Sequence, residues 1–291
     1  MAATSSPVSR FFSAPDGLKL HLLDYDPGGD ETPVVCLPGL SRTSNDFDAL
    51  ARRLSTKRRV IAIDYRGRGL SERDRDWTNY DLLVENADIL SQLAAAGVGD
   101  AIIVGTSRGG MHAMVFAATR PSMLKGVVLN DIGPVIETKG LTRIRGYVGK
   151  LPTPSSWSDA IDLAKRVMSA QFTALTDADW EAYARMSFEE KDGRLAARYD
   201  PALSKGLEAL DLEAPLPTLW PQFEGLRQVP VLALRGENSD LFSPETLAEM
   251  ARRHPSLETH VVAGQGHAPL LIDEPTIARI EKFVEDVAGD G

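Results

Sequence analysis

The chain has 291 residues, 43% of them hydrophobic and 25% charged. That is globular composition, with enough chain for a core that needs no disulfides. A formal net charge of −9 argues against a general nucleic-acid binder, and the single cysteine, Cys36, excludes an intramolecular disulfide and speaks against a Cys-based metal site. No apolar run reaches the length of a membrane span, and the opening MAATSSPVSRFF lacks the apolar core of a secretory signal. The expectation is a cytoplasmic protein without a membrane partner, its first eight or so residues loose.

Short β-like runs then alternate with helical patterns. LKLHLLDY (18–25) alternates and meets the turn DPGGD, while PVVCLPG (33–39) is a short continuous apolar run, as in a strand buried on both faces. In SNDFDALARRL, Phe47, Leu50 and Leu54 fall at helical spacing. RRVIAIDY (58–65) reads as a second buried strand, and residues 80–97 as a long amphipathic helix stopped by Gly97. DAIIVGTS, the helix RGGMHAMVFAATRP and the strand KGVVLND (125–131) follow. From Pro134 to Arg227 the pattern changes to helical segments broken by prolines, with no clear buried strand. The β/α rhythm returns with VPVLALRGE, PETLAEMARRH, LETHVVAG and PTIARIEKFVEDV. This predicts one α/β core domain, residues 1–133 and 228–291, interrupted by a helical insertion at 134–227. Strands joined by helices call for a mostly parallel sheet with flanking helices.

Ligand sites in such sheets lie at the carboxyl ends of the strands. Ser107 follows one strand, Asp240 another and His267 a third. A serine hydroxyl needs a base to become a nucleophile, a histidine suits that task near neutral pH, and a carboxylate orients the imidazole. The serine lies in Gly105-Thr106-Ser107-Arg108-Gly109, where small neighbours permit a tight strand-to-helix turn. The following helix aims its positive end at the site, so the Arg108 N–H is one expected oxyanion donor and the Leu40 N–H, in LPGLSRTSNDF, the other. Asp131 also ends a strand; Asp240 is preferred as the acid, with Asp131 assigned to the pocket lining or the start of the insertion. Among the other histidines, His21 and His260 sit in strand patterns, His254 ends a helix at a surface position, and His112 is a buried structural residue. Cys36 is a small core residue.

The chain resembles the cap-containing α/β-hydrolases of the esterase, lactonase and C–C-bond hydrolase group. The matching motifs are LPGL (37–40), DYRGRGLS (64–71), GTSRGG (105–110), LRGENSD (234–240) and GQGHAP (264–269). Many members have His-Gly where this chain has Pro38-Gly39, and the dehalogenase and epoxide-hydrolase branches have aspartate where it has Ser107. The resemblance implies a helical cap after the sixth strand, sitting over the site. It would bring some of Trp157, Met186, Trp220 and Phe223 to the substrate, beside Gly39 and Asp131. Arg108, Arg143 and Arg145 are candidates for an anionic substrate tail, with surface placement equally open for the last two. The expected activity is cofactor-free hydrolysis of a small carboxylic ester, lactone or thioester through an acyl-enzyme. C–C hydrolysis or perhydrolysis uses the same triad, and a ligand-binding protein without turnover is the alternative of another class. Substrate and oligomeric state stay open.

Overall fold

The computed structural model describes residues 6–26 and 28–289. Its strands are β1 (Val8–Ser13), β2 (Lys19–Tyr25), β3 (Val34–Leu37), β4 (Val60–Asp64), β5 (Ala101–Thr106), β6 (Leu124–Asn130), β7 (Phe188–Lys191), β8 (Arg194–Ala197), β9 (Val231–Gly236) and β10 (Leu257–Val262). The helices are α1 (Asp48–Leu54), α2 (Leu82–Ala95), α3 (Arg108–Thr119), α4 (Thr138–Tyr147), α5 (Trp157–Met168), α6 (Asp177–Ser187), α7 (Leu203–Glu208), α8 (Trp220–Glu224), α9 (Pro244–Arg253) and α10 (Glu274–Gly289). Eight strands form one sheet in the order β1-β2-β4-β3-β5-β6-β9-β10. β2 is antiparallel to both β1 and β4, and the other pairs are parallel.

The apolar runs are continuous because both faces of the sheet are covered. Val35, Ile61, Ile103, Val127 and Ala233 pack with residues of α2, α3 and α9 on one face. Their neighbours Val34, Val60, Ile102, Val128 and Leu232 pack with α1 and α10 on the other. Each Val, Leu or Ile side chain among these, taken fully out of water, contributes about 1.5–3 kcal/mol. Cys36 lies in the second of these layers, and Gly97, at φ +74°, ends the α2 segment. The loop 65–71 is held from within the core: Asp64 accepts hydrogen bonds from the Ser44 N–H (2.7 Å) and the Leu70 N–H (3.1 Å), and its Oδ2 lies 2.7 Å from His21 Nδ1.

Three details differ from the sequence reading. The sequence reading expects the first eight or so residues to be loose; residues 1–5 lie outside the described residues, but β1 begins at Val8 and pairs with β2. Between β6 and β9 the chain forms not only helices but the hairpin β7–β8, whose side chains are mostly half-buried or exposed, so it left no buried-strand signal. His254 is buried rather than at the surface: Nε2 is 2.9 Å from the Leu226 carbonyl, and Nδ1 accepts from the Ser256 N–H.

Behind β5 lies a buried charged cluster. Glu85 pairs through Oε1 with Arg68 Nη1 (2.6 Å) and through Oε2 with Arg108 Nε (2.5 Å), and His112 Nε2 lies 3.3 Å away. Burial alone would raise the Glu85 pKa; Arg108 and Arg68 more than offset that and hold it below the ordinary range. Burial pushes His112 down to about 4. The folded protein therefore binds fewer protons at His112 than the unfolded chain, so this contribution to stability is full above about pH 6.5 and is lost as pH falls towards 4. Glu85 acts only lower, below its ordinary carboxylate range. Thermal midpoints of the wild type should fall between pH 6.5 and 4, with a shallower fall in His112→Leu. Equal slopes in calorimetric scans of the two proteins would show that His112 does not titrate in this way.

Candidate active site

Ser107 joins β5 to α3 with φ 51° and ψ −111°. A non-glycine residue holds such a conformation only where its surroundings enforce it, and the glycines around it make that possible. A Cβ on Gly105 would lie 2.5 Å from the Gly109 carbonyl, and one on Gly109 would lie 2.0 Å from the Leu37 carbonyl oxygen. The turn is therefore pressed against both its own helix and the end of β3, which only hydrogen side chains allow.

His267 lies in the loop after β10. Its Nε2 is 2.8 Å from Ser107 Oγ, and its own N–H donates to Gln171 Oε1 at 3.2 Å. The carboxylate on the other ring nitrogen is Asp131, not Asp240: His267 Nδ1 is 2.7 Å from Asp131 Oδ2. Asp131 is fully buried and also accepts from the Gly236 N–H (2.7 Å) and Ser239 Oγ (2.6 Å). Asp240 faces elsewhere and forms a bidentate pair with Arg143 Nε and Nη2, both at 2.8 Å. The cause lies in the strand ends. Asp131 directly follows β6, which lies between β5 and β9. Asp240 stands four residues beyond the end of β9, where the chain has turned towards α4. Desolvation opposes ionisation of Asp240, and the Arg143 guanidinium overcomes it, holding the carboxyl below its ordinary value.

The expected oxyanion donors flank the serine. Among the described residues, the Leu40 and Arg108 N–H groups donate to no acceptor. A Cβ on Gly39 would lie 3.8 Å from Ser107 Cβ. The Leu40 carbonyl is held by Arg68 Nε at 2.8 Å, and the Pro38 carbonyl by the Tyr65 hydroxyl at 3.0 Å, so this loop keeps its shape without the His-Gly pair common elsewhere.

Ser107 and His267 open on a cavity of about 70 Å³ whose walls include Gly39, Arg42, Asp46, Tyr147, Phe172 and Tyr183. A second chamber of about 240 Å³ lies between the inserted segment and core residues Ser41, Arg42 and Arg73, lined chiefly by apolar side chains such as Leu151, Leu163, Val167 and Phe188. Ser41, Arg42, Tyr147, Met168 and Tyr183 border both.

The family described as "alpha/beta hydrolase fold" matches residues 32–274. The chain is 31% identical to a 3-hydroxybutyrate-oligomer hydrolase of Cupriavidus necator, covering 96% of this chain and 98% of that protein. It is 29% identical to a 2-(acetamidomethylene)succinate hydrolase of Mesorhizobium japonicum, over 85% of this chain and 86% of that one. Among solved structures, an alpha/beta hydrolase from Novosphingobium aromaticivorans superposes with a TM-score of 0.91 at 35% identity, covering 97% of this chain and 99% of that one. The chain belongs to the α/β-hydrolase fold family.

In this α/β-hydrolase the pocket differs from the sequence reading more than the strand ends do. Of the residues predicted to meet substrate, Gly39 borders the cavity and Asp131 lies beneath His267. Trp157, Met186, Trp220 and Phe223 do not line it. Phe223 is a core residue packed edge-on against Trp220, whose face carries Arg253. Trp157 lies under Arg185, and Met186 is buried outside the cavity. The aromatic wall is instead Phe47, Tyr147, Phe172 and Tyr183. Arg108 turns its side chain into the Glu85 cluster, Arg143 is paired with Asp240, and Arg145 is on the surface near the Leu210 carbonyl. The cation on the cavity wall is Arg42, which the sequence reading passed over although Arg42 and Asp46 directly follow the LPGL loop at i,i+4 spacing.

The acid's position is open to a direct check. Proton NMR should give a far-downfield imidazole N–H resonance from His267 that vanishes in Asp131→Asn and persists in Asp240→Asn. The reverse result would return Asp240 to the histidine.

Proposed function

We propose that this hydrolase cleaves carboxylic esters through an acyl-enzyme formed on Ser107. The observation that carries the reading is the unbroken line Ser107 Oγ–His267 Nε2 at 2.8 Å and His267 Nδ1–Asp131 Oδ2 at 2.7 Å, opening on a cavity. His267 takes the hydroxyl proton as Ser107 attacks the carbonyl, and then gives it to the leaving alcohol. Asp131 holds the imidazole tautomer and stabilises the imidazolium. The Leu40 and Arg108 N–H groups receive the oxyanion, each on the order of 10²–10³ in rate, and water then releases the acid by the same steps in reverse.

The 3-hydroxybutyrate-oligomer hydrolase among the relatives supports an oxygen ester as the scissile bond, since oligomers of a hydroxy acid are joined by esters. Residues 134–227 act as the cap over the site: Ile144, Tyr147, Phe172 and Tyr183 from this segment face Ser107 across the cavity. The substrate is a small molecule, and the reaction as written needs no cofactor.

Hydrolysis of p-nitrophenyl esters from acetate to decanoate tests the reading. Ser107→Ala should abolish turnover and labelling by a fluorophosphonate. Asp131→Asn should lower kcat on the order of 10³–10⁴, the loss expected when the base is held in the wrong tautomer, whereas Asp240→Asn should cost less than about tenfold. A wild type inert on every ester and unlabelled by the fluorophosphonate would sink the proposal.

A further inference from the structure

Arg42 sits where the catalytic cavity meets the second chamber, and among the described residues it is the one cation bordering both. A Cβ on Gly39 would lie 3.3 Å from Arg42 Cγ and 3.8 Å from Ser107 Cβ, so the base of this side chain is adjacent to the nucleophile. Its guanidinium is fixed on three sides. Nε pairs with Asp46, Nη1 donates to Ser187 Oγ at 2.9 Å, and the plane lies 4.8 Å over the Tyr183 ring. Nη2 has no acceptor among the described residues, and neither does the Tyr147 hydroxyl on the facing helix α4. Burial raises the Tyr147 pKa, so that hydroxyl remains a donor. A fixed cation with a free N–H beside a free hydroxyl is a receptor for acceptor oxygens, and charge-assisted bonds to a carboxylate are the strong form of that contact.

Asp46 lies on the same wall and, as the partner of Arg42, offsets part of its charge. One oxygen is engaged by Arg42, the other is shut away from solvent, and burial pushes its pKa up despite Arg42.

We propose that the substrate is an ester carrying a carboxylate a few bonds from the scissile carbonyl, and that Arg42 with Tyr147 binds that carboxylate at the junction of the two chambers. This rests on the ester-hydrolase reading and adds the charge of the acyl part. The half-ester of a short dicarboxylic acid is the smallest molecule that meets it.

Calorimetric titration of Ser107→Ala with monomethyl glutarate and with dimethyl glutarate tests the charge preference without turnover. The half-ester should bind roughly tenfold or more tightly than the diester. Arg42→Gln in the same background should bring the two affinities together, and added salt should weaken only the half-ester. Tyr147→Phe should reduce the preference several-fold, which keeps the proposal testable should Arg42→Gln fail to fold. Equal affinities in Ser107→Ala, no binding of the half-ester, or a preference unchanged in both added variants would overturn the proposal. Turnover of both esters by the wild type is read separately. A protein that binds the half-ester selectively but cleaves neither ester would retain the carboxylate site and lose the esterase reading.

Discussion

The backbone of Ser107 is the constraint on which the site depends. A residue held at φ 51° and ψ −111° costs on the order of 1–3 kcal/mol, and the fold must supply that from elsewhere. It does so through close packing at one corner of the sheet. The Ser107 N–H donates to the Asn130 carbonyl at the end of β6, and the Asn130 side chain reaches both Thr106 Oγ1 (3.0 Å) and the Pro269 carbonyl (2.9 Å). One asparagine thus ties the strand leading to Ser107, the neighbouring strand and the His267 loop together. The strain is distributed over three segments far apart in sequence, and relaxing the serine would require all three to move.

The same corner explains the place of the acid. β6 runs beside β5, so the residue after β6 is one strand away from Ser107, and the end of β9 with the loop after it closes over it with the Gly236 N–H and Ser239 hydroxyl. Any carboxylate there is fully desolvated and needs hydrogen-bond donors. The imidazole is the third of them. Asp240 is released from that duty and holds Arg143 of α4 instead, which fastens the inserted segment to the sheet. Two aspartates beyond neighbouring strand ends therefore divide the contact with His267 from the anchoring of the inserted segment.

That division marks the limit of what the sequence discloses. The sheet and most of its helices were legible because strands buried on both faces must read as short apolar runs, and because GTSRGG and GQGHAP place a serine and a histidine after such runs. Chain order could not choose the acid, since residues 131 and 240 both lie between 107 and 267. The choice depends on strand adjacency, and sequence position does not encode which strand lies beside which. The pocket was less legible still. Large aromatics drew attention to Trp157, Trp220 and Phe223, but an aromatic's size says only that it will be buried, and these found their burial against the core or under arginines. Tyr147 and Tyr183 line the site because of how α4 and α6 sit over Ser107, a tertiary fact with no local signature.

Arg108 connects the strained turn to the buried charges behind it. Its backbone N–H stands at the start of α3 next to Ser107, while its side chain runs to Glu85 and the Tyr80 carbonyl. Glu85 in turn holds Arg68, whose Nε fixes the Leu40 carbonyl. A single buried carboxylate therefore reaches both residues proposed to bind the oxyanion, one through each arm. An isolated charge at that depth would be costly. With two guanidiniums around it, Glu85 sets the separation between the loop after β3 and the start of α3. Replacing the arginine within G-T-S-R-G by a neutral residue would leave the glycines and the serine in place, yet it would remove one arm of that brace. The identity of the variable residue in the motif is accordingly a matter of the core behind the site rather than of the substrate in front of it.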